Sequence, residues 1–241
     1  MDRSKFETLI KGCSSFGVEL TERQLEQFNS YYELLVEWNK VMNLTAITEF
    51  GEVLQKHFVD SISIAGSIDM GKCESIIDIG TGAGFPGLPL KIVYPHIKVI
   101  LLDSLNKRIR FLNEVVDNLE LSDIETIHGR AEDIAKKPEY REQFDLVVSR
   151  AVANLASLAE YCIPFVKQGG CFVSYKSGSA EEEIEQAKKA IFVLGGEKKN
   201  VVKFQLPDSD MERALVIIEK IKITPKKYPR KAGMATKEPI V

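Results

Sequence analysis

Ile76-Ile-Asp-Ile-Gly-Thr-Gly-Ala-Gly-Phe-Pro-Gly87 decides how this chain is read. A short apolar run ends in closely spaced glycines, and a helical pattern follows. Glycines at a strand end let the backbone turn sharply and approach a ligand closely, and the helix start that follows presents free amides to it. Outward from this loop, apolar strands alternate with helices. Val99 to Leu102 closes on Asp103, and Ile109, Leu112, Val115, Val116 and Leu119 form a helical stripe. Ile124 to Ile127, Phe144 to Val148 and Cys171 to Tyr175 read as three more strands, with a helical stretch through Leu155, Leu158 and Ala159. Strands separated by helices imply parallel pairing, because a parallel crossover needs a dozen or more residues. Val201 to Phe204 and Leu215 to Ile221 are separated only by a loop, which predicts an antiparallel hairpin. The expected fold is therefore a doubly wound α/β sheet of seven strands with an antiparallel C-terminal hairpin. Residues 1–65 read as a helical extension packed on the core. Ser4 and Glu7, and Thr21 and Gln24, have capping-box spacing, and a stripe runs through Leu25, Phe28, Tyr32, Leu35 and Val36. Residues 66–221 form the main domain and 222–241 a tail.

Two ligand classes use such a glycine loop. Gly82, Gly84 and Gly87 satisfy the dinucleotide spacing, with Asp103 placed 21 residues after Gly82. Against that reading, the glycine run begins at Gly80, giving Gly80, Gly82 and Gly84. Asp78 stands inside the strand end, where a carboxylate suits a cationic ligand and repels a pyrophosphate. The chain also closes with a hairpin rather than a second substrate domain. These features favour S-adenosylmethionine over a nicotinamide cofactor or a structural turn. Asp103 is placed to accept ribose hydroxyls, or is a solvated acid at a strand end. Ala131 and Glu132, in Gly129-Arg-Ala-Glu-Asp133, fall where an adenine ring would be met, although Glu132 also reads as a helix N-terminal acid.

After the fourth strand comes Ser149-Arg150-Ala151. No Asp/Asn-Pro-Pro-aromatic tetrapeptide is present to hold an exocyclic amine, and no Pro-Cys or Thr-Cys supplies a thiolate. The target should be a nucleophile that needs little activation, such as the lone pair of a ring nitrogen, with catalysis resting on alignment and desolvation. Arg150 and Lys176, at the ends of the fourth and fifth strands, are the candidate catalytic side chains; each could instead be a surface charge.

Hydrophobic residues make up 44% and charged residues 28% of the 241, with a net charge of −3, which is ordinary for a soluble domain. No membrane span or signal peptide is expected, which points to the cytoplasm. Cys13, Cys73, Cys162 and Cys171 lack metal or disulfide spacing and read as reduced thiols, with no metal site. The local exception to the acidic balance is Lys220-Ile-Lys-Ile-Thr-Pro-Lys-Lys-Tyr-Pro-Arg-Lys231. Lys226, Lys227, Arg230 and Lys231 could meet phosphates, with Tyr228 able to stack, and Lys107, Arg108 and Arg110 could extend the patch. On this reading the tail holds RNA and leaves cofactor binding alone; a merely solubilising tail is the alternative.

Taken together, these residues resemble a known family. Trp38-Asn-Lys-Val-Met-Asn-Leu-Thr45, Lys56-His-Phe-Val-Asp-Ser61, Asp78 to Gly87, Leu102-Asp-Ser-Leu-Asn-Lys-Arg108, Ser149-Arg-Ala151 and Thr224-Pro-Lys-Lys-Tyr-Pro-Arg-Lys231 are similar to the RsmG (glucose-inhibited division protein B) family, nearly end to end. The resemblance implies a class I, Rossmann-like methyltransferase that uses S-adenosyl-L-methionine to methylate guanine N7 in the 530 loop of 16S ribosomal RNA. The partner would be that RNA or the small ribosomal subunit, and the enzyme a monomer. It carries cofactor contacts to Gly80, Phe85, Ala131, Glu132 and Arg150, and gives Asn43, His57 and Asp60 a possible substrate-side role. From its apolar helical face alone, His57 reads as a packed core histidine. A methyltransferase for another RNA or a small molecule, or a binding protein that has lost activity, are the other readings.

Overall fold

The computed structural model describes residues 2–150 and 153–241, so Ala151 of the Ser149-Arg150-Ala151 segment lies outside the described residues. The N-terminal extension holds α1 (Glu7–Ser14) and α2 (Glu22–Met42). Thr21 and Gln24 form the expected capping box on α2, but the first cap is Asp2, whose carboxylate accepts from the Ser4 amide; Ser4 itself sits inside a 3-10 turn. Asn43 ends α2 in the left-handed region (φ 49°), a conformation its short polar side chain tolerates. A continuous helical segment then runs through α3 (Phe50–Val53), a π-helical turn (Leu54–Val59) and α4 (Asp60–Ile62).

The remaining elements are β1 (Ser75–Ile79), α5 (Gly87–Val93), β2 (Lys98–Asp103), α6 (Asn106–Asn118), β3 (Ile124–His128), α7 (Ala131–Ile134), β4 (Phe144–Arg150), α8 (Leu155–Cys162), β5 (Val166–Ser177), α9 (Glu181–Val193), β6 (Gly196–Gln205), β7 (Glu212–Lys220) and α10 (Met234–Lys237). The strands form one seven-stranded sheet in the order β3-β2-β1-β4-β5-β7-β6. The β1–β2, β1–β4, β2–β3 and β4–β5 pairs are parallel, and β5–β7 and β6–β7 are antiparallel, as the hairpin spacing predicts. Alternation along each strand splits the core in two. Ile76, Val99, Leu101, Val148 and Val173 face the N-terminal helices, α5 and α6, while Ile77, Ile100, Leu102, Val147 and Phe172 face α8 and α9. Strand order reverses between β1 and β4, and in open α/β sheets ligands bind at the carboxyl ends of the strands beside such a reversal.

Residues 222–241 fold back onto the α8 side of the sheet. Thr224 is buried, its hydroxyl donating to the Leu194 carbonyl and accepting from the buried Lys220 ammonium. Arg141 donates to the carbonyls of Thr224 and Tyr228. The Arg230 guanidinium grips the buried Glu160 carboxylate at 2.6–3.0 Å. Arg230, expected among the RNA contacts, is thus a structural ion pair, whereas Lys226, Lys227 and Lys231 remain exposed. No helix among the described residues is long and apolar enough to cross a membrane.

Candidate active site

The glycine loop leaves β1 as the sequence predicts. The Gly80 and Thr81 amides donate to the Leu102 carbonyl, which bends the loop over the end of β2. Gly84 has φ +97°, and a Cβ there would meet Leu88 at 2.3 Å, so only glycine fits. Gly82 is the contrast. Its missing Cβ would face open space, with nothing nearer than the Gly80 carbonyl at 4.0 Å, which leaves room for a ligand against the backbone.

Asp78 does not line that space. It is fully buried behind the loop, where one oxygen accepts from the Thr81 hydroxyl (2.7 Å) and the Gly87 amide (2.8 Å). Its other oxygen has no hydrogen-bond partner among the described residues, and burial pushes the carboxyl up to about 7. The expected facing contact with a cation is thereby corrected to a supporting one: Asp78 shapes the loop and places an unbalanced acceptor beneath it. Asp103, at the end of β2, accepts from the Gly82 amide (2.9 Å), the Leu105 amide (2.9 Å) and the Arg108 guanidinium (3.1 Å). Arg108, expected on the RNA surface, turns inward onto this carboxylate; Lys107 and Arg110 are exposed.

Two cavities meet at Gly80, Asp103 and Ser104. The smaller, of about 270 Å³, is lined by Ala131 and Glu132 as expected, and by Tyr161, Gly233 and Thr236, which sequence reasoning missed. The Glu132 carboxylate accepts from the Gly233 amide (2.8 Å), and the Tyr161 and Thr236 hydroxyls bond at 2.7 Å. The tail is thus a wall of this pocket, in contrast to the expected tail that stands apart from the cofactor side. The larger cavity, of about 860 Å³, runs from Gly80, Gly82 and Phe85 past His57, Asp60 and Arg150 to Thr45, Ile47, Met211 and Arg213. Arg213 and Met211 were not singled out from sequence, because the β6–β7 hairpin brings them in from far along the chain. Asn43 caps α2 and does not line the cavity; its neighbours Leu44 and Thr45 do.

Within the larger cavity the charged groups hold one another. Arg150 donates to Asp60 (2.9 Å) and lies 4.9 Å over the Phe85 ring, and Arg213 binds the other Asp60 oxygen (2.9 Å). His57 stacks on Phe85 with centroids 4.6 Å apart. Burial, and secondarily the Arg150 charge, lower its pKa to about 3. Both ring nitrogens have partners, Thr45 at 2.8 Å and Arg150 at 3.4 Å, so His57 is a cavity wall and not an inert core residue. Lys176 lines the cavity, but its ammonium is turned onto Glu183 (2.6 Å) and the Ala153 carbonyl (2.9 Å). Among the described residues, no group of three or more His, Cys, Asp and Glu is placed to hold a metal ion.

The geometry fits S-adenosylmethionine: open backbone at Gly82, a carboxylate ending β2, a side pocket of about 270 Å³ for a purine, and acidic support below the loop. Among solved structures, TYW2 from M. jannaschii in complex with AdoMet superposes with a TM-score of 0.51 at 17% identity, covering 62% of this chain and 70% of that one. TrmN from Thermus thermophilus superposes with a TM-score of 0.51 at 14% identity, covering 70% and 53%. At such identities these neighbours speak for the fold alone, the class I methyltransferase sheet. Relatives in sequence are much closer. A ribosomal RNA small subunit methyltransferase G from Lachnoclostridium phytofermentans is 57% identical over 97% of each chain. One from Exiguobacterium sp. is 51% identical over the whole of both. The family model described as "GidB: rRNA small subunit methyltransferase G" matches residues 24–216. This chain therefore belongs to the GidB family, and S-adenosylmethionine is its cofactor.

Proposed function

We propose that this enzyme methylates N7 of a guanine in the 530 loop of 16S ribosomal RNA, in the small subunit or on the way to it. One observation carries the choice of nucleophile: among the described residues, the large cavity offers no base free to take a proton. His57 is too weak a base near pH 7, Asp60 is held between two arginines, and Lys176 is ion-paired. A hydroxyl or an exocyclic amine would have to shed a proton during attack. Guanine N7 carries an in-plane lone pair and sheds none. The cofactor supplies an electrophilic methyl group on a sulfonium, and the nucleophile becomes cationic as the methyl arrives. The chain's part is then positioning: the glycine loop and Asp103 fix one reactant, and the Phe85, His57 and Thr45 wall confines the other. The ribosomal RNA in the names of the relatives supplies the target class, and exposed Lys107, Arg110, Lys226, Lys227 and Lys231 are proposed phosphate contacts.

The test is chemical. Small subunits lacking the modification are treated with enzyme and cofactor, and the RNA is exposed to borohydride and aniline. N7 methylation makes the ring cationic and the backbone cleavable, so a new cut at one guanine of the 530 loop is expected. Methyl incorporation without a new cut would overturn the assignment to N7.

A further inference from the structure

Thr45 lines the large cavity, half-buried, with its amide donating to the Asn39 side-chain oxygen (2.9 Å). Its hydroxyl is held by two neighbours. The Ile47 amide donates to Oγ1 at 3.0 Å, and His57 Nε2 lies 2.8 Å away. We assign the direction of that second bond from the side-chain contact on the other ring nitrogen. Nδ1 faces the Arg150 guanidinium at 3.4 Å, and a guanidinium only donates, so Nδ1 is the acceptor. In a neutral imidazole the proton then sits on Nε2, and Nε2–H donates to Thr45 Oγ1. Both acceptor positions of the hydroxyl are thus filled by donors. Its own proton is left to be given away, and no acceptor among the described residues takes it.

We propose that Thr45 is a base-reading residue whose hydroxyl donates to O6 of the target guanine. This rests on guanine N7 being the methylated atom. The Hoogsteen edge of guanine presents two acceptors, N7 and O6, whereas adenine presents the N7 acceptor beside the N6 amino donor. A side chain fixed as a donor next to the reacting nitrogen fits guanine and opposes adenine. A free hydroxyl would rotate to suit either base. The relay Arg150 to His57 to Thr45 removes that freedom: Asp60 and Arg150 orient His57, and His57 fixes the polarity of Thr45. Leu44 and Ile47 beside it supply apolar surface for a base.

The test is a cycle between protein and RNA. Thr45→Val removes the hydroxyl at nearly constant shape, Thr45→Ser keeps it, and 2-aminopurine at the methylated position keeps N7 but lacks O6. The expected result is that Thr45→Val lowers kcat/KM on guanine about 10- to 100-fold, the range for losing one specific hydrogen bond to a base. Thr45→Ser should stay within about threefold of the natural protein, since the donor is kept. On 2-aminopurine, natural protein and Thr45→Val should perform alike, because the interaction is already lost. Cofactor affinity measured by calorimetry should be unchanged in both variants. Multiplying penalties for Thr45→Val and 2-aminopurine would overturn the proposal. So would a loss of cofactor affinity as large as the loss of kcat/KM, which would place the hydroxyl on the methionine end instead. If the natural protein puts its methyl group on an atom other than guanine N7, the functional reading fails, and this inference with it; a normal N7 product with multiplying penalties sinks the inference alone.

Discussion

Asp78 has one carboxylate oxygen bound to Thr81 and Gly87 and a second without a partner among the described residues, in a place water does not reach. Burial favours the neutral acid and raises its pKa from an ordinary 3.8 to about 7. The unfolded chain ionises at the lower value and the folded chain at the higher. This group therefore favours folding below about 4, loses that contribution as pH rises from about 4 to about 7, and adds no further slope above. Asp78→Asn should flatten that fall in the ligand-free protein, seen as urea midpoints close to those of the natural protein at low pH and above them from about pH 7. A cationic ligand above the loop favours the ionised acid, so cofactor affinity should rise with pH up to about 7 in the natural protein and not in the variant. Parallel profiles in the two proteins would remove Asp78 from this role. That a carboxylate mattered here was legible, since the loop is continuous in sequence. Its position behind the loop was not, because that depends on β2 and β4 flanking Asp78 in the sheet, at Leu101 and Val148.

Helix α2 reaches the glycine loop through Tyr31. The fully buried Tyr31 donates its hydroxyl to the Ala83 carbonyl and stacks on both Phe58 and Phe85. The segment ending in α4 is tied to the sheet in a similar way, by the Tyr175 hydroxyl on the Ser61 carbonyl (2.7 Å) and by the two arginines on Asp60. The N-terminal extension is thereby part of the site and not an accessory. Tyr31→Phe keeps the packing and strands a buried carbonyl, at a cost of roughly 1–3 kcal/mol. Thermal unfolding should shift down, and cofactor affinity should fall with it, because the loop loses its brace. Stability lost with affinity intact would show that the loop holds its shape unaided. The helical stripe through Leu25, Phe28 and Leu35 was readable from its period, and the Thr21–Gln24 cap from its spacing. The π-helical turn at Leu54–Val59 has no period of its own in the sequence and was not.

Across the whole molecule, the cofactor side is closed by the chain's end. Gly233 and Thr236 reach the smaller cavity because Lys220, Arg141, Glu142 and Glu160 fasten the intervening residues to the sheet. The basic composition of residues 220–231 was legible, but the anchoring was not, since the partners of Lys220, Tyr228 and Arg230 lie 57, 87 and 70 positions earlier in the chain. A protein ending at Lys231 keeps the Arg230–Glu160 pair and loses the wall. It should fold by circular dichroism yet bind cofactor roughly tenfold or more weakly, a loss of about 1.4 kcal/mol or more. Full affinity in that truncation would return the tail to a role in RNA binding alone.

The account as a whole holds that the cavity aligns a lone pair and removes no proton. Its most direct measurement is the single-turnover rate of methyl transfer to small-subunit RNA, at saturating cofactor, followed from about pH 7 to about pH 8.5. With no base to ionise in step with the reaction, the rate should be level across that range. A general base that must ionise within or above this interval would instead raise the rate, at most in proportion to hydroxide or about 30-fold, and that result would contradict the account.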